Sequence, residues 1–266
     1  MKLDIISRYP ETTPKPTPLL FVHGSFTEGR IWDEHFLPYF TRHGYEAHAF
    51  SLRGHGLSEG HDGAHSWRLA DFVADLTAVA ETMPRPPVLV GHSMGGMIVQ
   101  KYLESQPAIA GMVLMASVPP QGLLPTNINM MMRHPFLFQQ MAMLAMFGSK
   151  HGTIGLMRRL LFYTDLPDSR LNDLLRYTYT ESQMVALDMM GMSALRLNPE
   201  QVSVPVLVQG AEHDVLVSPV MVRETASFYR TEAHIFPGMA HGMMAELNWQ
   251  DAADDLREWL ERVIEA

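Results

Sequence analysis

The sequence predicts an α/β fold: a mostly parallel central β-sheet flanked by helices, with an inserted helical cap. Three observations predict it. Short apolar runs alternate with longer stretches of helical spacing. Most of the runs are apolar at every position, as strands covered on both faces require. The alternation then stops between Pro119 and Pro205 for about 80 residues, too long for a bare loop in a compact domain.

The predicted strands, in order, are LLFVH (19–23), YEAHAF (45–50), VLVGH (88–92), GMVLMA (111–116), VPVLVQG (204–210) and AHIF (233–236). Helical spacing covers 67–83, 93–106, 218–229 and 249–264, the last through Trp249, Leu256, Trp259, Leu260 and Val263. Residues 1–118 and 205–266 are therefore expected to form the core domain and 119–204 the cap, punctuated into short helices at Pro135, Gly148, Gly152, Pro167 and Gly191. The proline-rich stretch YPETTPKPTP (9–18) reads as a stiff connection into the first long strand.

Composition narrows the function classes. The 266 residues are 47% hydrophobic and 18% charged, which is globular, and the net charge of −9 repels a phosphate backbone, so nucleic acid is not an expected partner. There is no cysteine, which removes disulfides, thiolate metal sites and cysteine nucleophiles. The N-terminus lacks the apolar core of a signal peptide and no uncharged apolar run reaches about 18 residues, so a cytoplasmic location is expected.

Chemistry enters at VLVGHSMGG (88–96). Ser93 stands between a buried strand and an amphipathic helix (Ile98, Val99, Tyr102, Leu103), with Gly91 and Gly95 two residues to either side. A nucleophile on so sharp a turn needs neighbours without side chains, and the helix that follows aims unpaired N–H groups at the reaction centre. Met94 N–H is the expected first oxyanion donor.

VLVGHSMGG, LLFVHGSFTEGRIW, FSLRGHGLS, QGAEHDVLVS and PGMAHGMM, in this order over residues 19–244, together resemble the α/β-hydrolase superfamily in its esterase and lipase branch. The resemblance implies a second oxyanion donor in the turn after the first long strand, at Ser25, with Phe26 as the alternative amide. It also implies an acid after the strand VPVLVQG and a base after the last strand. Asp214 fits the first place, Glu212 being the rival two residues earlier, and His241 alone among 13 histidines fits the second. The order Ser93, Asp214, His241 is that of the family's triad, and a serine at the elbow makes an acyl-enzyme the natural intermediate.

Other polar groups receive structural readings. His23 is expected to hold its turn by local hydrogen bonds, and Arg53-Gly54-His55-Gly56 to form a glycine-rich turn under the site. His61, Asp62 and His65 lack the further ligand a metal site needs. Phe26 and Trp32 either line a pocket or pack the turn. In the insert, Met130, Met131, Met132, Met141, Met143 and Met146, then Met184, Met189, Met190 and Met192, suit an adaptable apolar wall, with Met141, Met143 and Met189 beside Phe26 the tentative substrate contacts. PFLFQQMAMLAMF (135–147) lacks the basic face of a membrane-surface helix, so membrane attachment is not expected.

The resemblance thus implies cleavage of a carboxylic ester with a largely apolar acyl or alcohol part through acyl-Ser93, with no cofactor and no metal. Thioesterase, lactonase, monoacylglycerol lipase and C–C bond hydrolase activities share the fold, and from another class so does a non-hydrolytic ligand receptor. Oligomeric state is open.

Overall fold

Two apolar layers sandwich one sheet in the computed structural model, which describes residues 1–133, 135–147 and 153–265. Seven strands form the sheet: β1 (Ile5–Arg8), β2 (Leu19–Val22), β3 (Ala47–Phe50), β4 (Val88–His92), β5 (Gly111–Met115), β6 (Val206–Ala211) and β7 (Ala233–Phe236). Their spatial order is β1-β3-β2-β4-β5-β6-β7. β1 runs antiparallel to β3, and every other pairing is parallel. The period of two along a strand explains why the central strands are apolar throughout. On β2, Leu19 and Phe21 join the core on one face while Leu20 and Val22 join the core on the other, and all four are 0% exposed.

The first face is covered by α1 (Arg30–Asp33), α2 (Phe36–Arg42) and α11 (Trp249–Trp259), whose Trp32, Phe36, Phe40, Leu256 and Trp259 pack on Phe21 and its neighbours. The second face takes α3 (Leu69–Ala80), α4 (Met94–Tyr102) and α10 (Pro219–Phe228) through Phe72, Leu76, Ile98, Val99 and Val222. Between β5 and β6 the chain carries α5 (Leu124–Arg133), α6 (Pro135–Phe147), α7 (Ile154–Leu161), α8 (Asp168–Leu175) and α9 (Gln183–Leu187), with no strand among the described residues. Gly148 and Gly152, expected to punctuate this segment, lie outside the described residues, as does the side chain of Met146.

The fold class matches the expectation, and three elements were not read from the sequence. β1 is a four-residue edge strand whose ends, Ile5 and Arg8, are exposed, so IISR carries neither a buried run nor an alternation. α1 is a single turn. α2 begins FLP, and Pro38 in a first turn is tolerated because that N–H has no intrahelical partner, although in a sequence it reads as a breaker.

Candidate active site

The parallel strands place their carboxyl ends at one edge, and the order of the sheet reverses between β2 and β4. From β2 the chain moves outward to β3, then returns to lay β4 on β2's other side. The connections leaving these two neighbours diverge and open a crevice there. The β2 end carries His23-Gly24-Ser25, the β4 end carries Ser93, and the β6 and β7 ends carry Asp214 and His241.

Ser93 adopts φ 54° and ψ −116°, a strained conformation for an L-residue. Its backbone is held from both sides: Ser93 N–H donates to Met115 O at 3.1 Å, and Ser93 O accepts from Val118 N–H at 3.1 Å. The flanking glycines permit the close approach of helix to strand. A Cβ on Gly91 would lie 2.5 Å from Gly95 O, and one on Gly95 would lie 2.6 Å from His23 O.

His241 lies with Nε2 3.0 Å from Ser93 Oγ and Nδ1 2.7 Å from Asp214 Oδ2. A carboxylate only accepts, so Nδ1 carries the proton and Nε2 presents its lone pair to the serine hydroxyl, which donates. The other Asp214 oxygen accepts Leu216 N–H at 2.7 Å and Val217 N–H at 2.8 Å, fixing a side chain that is 0% exposed. Glu212 points elsewhere: its side chain is 53% exposed and accepts Gly238 N–H at 3.2 Å.

In the β2 turn, the two candidate amides differ. Phe26 (φ 63°) donates its N–H to Glu181 Oε2 at 3.3 Å and accepts Tyr179 N–H at 2.9 Å. Ser25 N–H and Met94 N–H have no hydrogen-bond partner among the described residues, and Ser25 Oγ donates to Met94 Sδ at 3.3 Å, tying the two together. Glu181, from the segment between α8 and α9, was not singled out in the sequence. Nothing in TYTESQ distinguishes it from a solvated carboxylate.

Beneath this turn lie three buried histidines. His23 donates Nδ1–H to Gly24 O at 2.8 Å and accepts Leu52 N–H on Nε2 at 3.0 Å, and burial with no anion beside it pushes its pKa down to about 3. His92 donates Nε2–H to the His241 carbonyl at 2.9 Å, and burial, with the His241 ring nearby, holds its pKa well below the ordinary value. Burial would also lower His55, but Glu181, its Nε2–Oε2 separation 3.6 Å, outweighs that and raises it. The sign follows. Below pH about 6.5 the unfolded chain protonates His23 and His92 while the folded chain does not, so stability is full above that pH and falls on acidification. Urea unfolding at pH 7.5 and pH 5 is expected to differ by about 2 kcal/mol for His23, with His92 adding to the loss in the same direction. A midpoint that does not move would contradict the neutral assignment. His55 acts in the opposite window, its contribution being lost as pH rises through its raised pKa.

The remaining candidates fall outside the reacting geometry. Arg53 forks onto Asp75 (Nη2–Oδ1 2.7 Å) and lies 5.0 Å from the Trp67 ring, a structural corner. His61 Nε2 sits 3.2 Å from Gly56 O, and no group of three or more His, Cys, Asp or Glu among the described residues is placed to hold a metal ion. Trp32 is 0% exposed and packs its ring 5.0 Å from Phe21, so of the two readings it takes the packing one. Met141 packs against Leu137, Leu156 and Leu160 together with Val215 and Leu216, the residues that follow Asp214. Met189 is buried in the layer that holds Met94, Val118 and Val217. Met143 is 40% exposed. Among the described residues no helix is long and apolar enough to cross a membrane.

An α/β sheet with a serine on a glycine-flanked turn after its fourth strand, a buried aspartate after the sixth and a histidine after the seventh describes the fold and the site, and comparison with known proteins gives the class. Residues 19–259 match the profile of the Alpha/beta hydrolase family, and the chain belongs to that family. A non-heme chloroperoxidase from Burkholderia pyrrocinia is 38% identical over 122 residues, 42% of this chain and 41% of that protein. A pimeloyl-[acyl-carrier protein] methyl ester esterase from Methylococcus capsulatus is 31% identical over 112 residues, 41% of this chain and 40% of that protein. The matched region thus spans about two fifths of these curated relatives. Among solved structures, a thermophilic esterase from Thermogutta terrifontis superposes with a TM-score of 0.74 over 98% of this chain and 94% of its own, at 18% identity, a likeness of fold.

Proposed function

We propose that this protein is a serine hydrolase that cleaves a carboxylic ester with a largely apolar acyl or alcohol group through an acyl-Ser93 intermediate. The observation that carries the reading is the continuous relay Asp214–His241–Ser93, at 2.7 and 3.0 Å, beside two uncommitted amides. In this reading His241 takes the Ser93 proton as Oγ attacks the ester carbonyl, then gives it to the departing alcohol. Water, activated by the same imidazole, releases the acid. Ser25 N–H and Met94 N–H receive the oxyanion, and because both are backbone groups fixed by their turns they need little reorganisation. Phe26 is set aside as a donor by its bond to Glu181.

The 119–204 segment serves as the cap in this reading. Leu137, Met141, Leu156 and Leu160 meet Val215 and Leu216 next to the acid, which favours an apolar guest. No cofactor enters the chemistry. A panel of p-nitrophenyl esters of increasing acyl length tests it: a burst equal to the enzyme concentration, with fluorophosphonate labelling of Ser93, is expected. A folded protein showing neither would move the assignment to a ligand receptor.

The chloroperoxidase relative favours one second reading, in which hydrogen peroxide takes the place of water. Its attack on acyl-Ser93 would release a peracid and regenerate the serine hydroxyl, with no change in the groups required. Peracid formation from a short carboxylic acid and peroxide, lost in Ser93→Ala, distinguishes this use of the site.

A further inference from the structure

His241 is borne by a loop, and a loop places an imidazole accurately only if its backbone is held. Three bonds from distant residues hold positions 240–242 of it. Ala240 N–H donates to Glu246 Oε1 at 3.0 Å, the His241 carbonyl accepts His92 Nε2–H at 2.9 Å, and Gly242 N–H donates to Leu161 O at 2.7 Å. Gly242 can approach because it has no side chain: a Cβ there would lie 2.9 Å from Leu161 O and 2.9 Å from Phe162 Cε1.

Glu246 does more than accept from Ala240. The residue is 1% exposed, and the same Oε1 also accepts Tyr163 N–H at 2.6 Å. Oε2 accepts Thr164 N–H at 3.3 Å and the Thr164 hydroxyl. Four donors therefore converge on one buried carboxylate, three of them from residues that immediately follow α7 and one from the residue before His241. A buried carboxylate is retained only where its lone pairs are filled, and here the filling joins two separate stretches of chain.

We propose that Glu246 is a positioning residue for His241, fastening the base-bearing loop to the 161–164 stretch of the helical insert so that Nε2 stays within reach of Ser93 Oγ. This rests on the serine hydrolase reading above. Glu246 touches neither the substrate nor the reacting atoms. Its effect passes through Ala240 and, together with the Gly242–Leu161 bond, makes the insert part of the base's support. In the sequence it is an isolated acid in MMAELN, five residues after His241, with no spacing rule to mark it.

The test compares wild type with Glu246→Gln. The amide keeps one acceptor oxygen and turns an NH2 group toward backbone donors, so the loop loosens while side-chain volume is unchanged. Displacing a catalytic group by about 1 Å costs on the order of 100-fold, so kcat for the best ester is expected to fall about 10- to 100-fold with KM changed less than about 2-fold. Fluorophosphonate labelling should slow by the same factor. The downfield proton resonance of His241 Nδ1–H against Asp214 should shift or broaden, which a merely structural role would leave alone. A folded Glu246→Gln protein with unchanged kcat and resonance overturns the proposal. If the variant does not fold, amide exchange in the wild type decides. Ala240, Gly242, Tyr163 and Thr164 opening together supports it, and Ala240 and Gly242 exchanging freely while Tyr163 is protected overturns it. A wild type with neither ester hydrolysis nor labelling would sink the hydrolase reading instead, and the resonance would still report on Glu246.

Discussion

Replacing Ser93 by alanine is expected to lower kcat for every ester the protein turns over by a factor of about 10⁴ to 10⁶, and to abolish fluorophosphonate labelling. In the proposed mechanism the reaction is built on a covalent step, and no neighbouring hydroxyl or imidazole is free to take the place of Ser93. His92 points its Nε2–H at a carbonyl, and Ser25 Oγ is engaged with Met94 Sδ. What remains is the amide pair and His241, a residual rate about 10³- to 10⁴-fold over water. The fold should be unaffected, since Ser93 is held through its backbone bonds to Met115 and Val118. Ser93→Gly separates the two roles of this residue. At φ 54°, ψ −116° glycine relieves about 1 to 3 kcal/mol of strain against about 0.5 to 1 kcal/mol of added chain entropy, so the inactive variant should unfold about 1 kcal/mol later than wild type. A Ser93→Ala protein with near wild-type rates would place the nucleophile elsewhere and end the acyl-serine reading. A less stable Ser93→Gly would show that the elbow is not strained.

The central strands and the position of Ser93 were legible because each announces itself locally, whereas Asp214 and His241 were placed by the order of motifs in the family resemblance. β2, β4 and β5 are buried at every position, and Gly91 answers a steric demand from Gly95 and Gly96 that acts within the motif itself. β1 was not legible, since its pairing partner is β3, far along the chain, and two of its four residues face solvent. The supporting carboxylates were hidden for a related reason. Glu181 meets Phe26 across 155 residues and Glu246 meets Tyr163 across 83, so each reads locally as an ordinary surface acid and acquires its role only when the chain has closed. His92 stood in the quoted motif without a role, because its partner is a backbone carbonyl, which leaves no trace in a sequence. The insert's methionines gave a composition and not a direction: Met189 is buried, Met143 is 40% exposed, and helical spacing alone did not separate them.

Asp214→Asn is expected to cost about 10⁴-fold in kcat, while Glu212→Gln leaves the rate within about 2-fold. The two acids stand two residues apart on the same loop, so the contrast isolates geometry from local charge. Asp214 accepts three donors: Leu216 and Val217 N–H on Oδ1, and His241 Nδ1–H on Oδ2. In the asparagine variant the two backbone donors claim the amide oxygen, so the NH2 group is the one turned toward His241. An NH2 group there forces the imidazole to present the Nδ1 lone pair and to carry its proton on Nε2, where it can no longer accept from Ser93. The shape of the site is kept and the wrong tautomer is stabilised, which is why the loss should appear in kcat and in the labelling rate with little change in KM. Glu212→Gln disturbs only exposed contacts, the hydrogen bond from Gly238 N–H and the 3.3 Å approach of His213 Nε2. Steady-state kinetics on one p-nitrophenyl ester, with circular dichroism to establish folding, reads both variants. Equal losses in the two would mean that the loop's net charge and not the Asp214–His241 bond sets the rate; a loss confined to Glu212→Gln would require the base to be oriented from the exposed side of the loop, a geometry in which His241 Nε2 no longer faces Ser93.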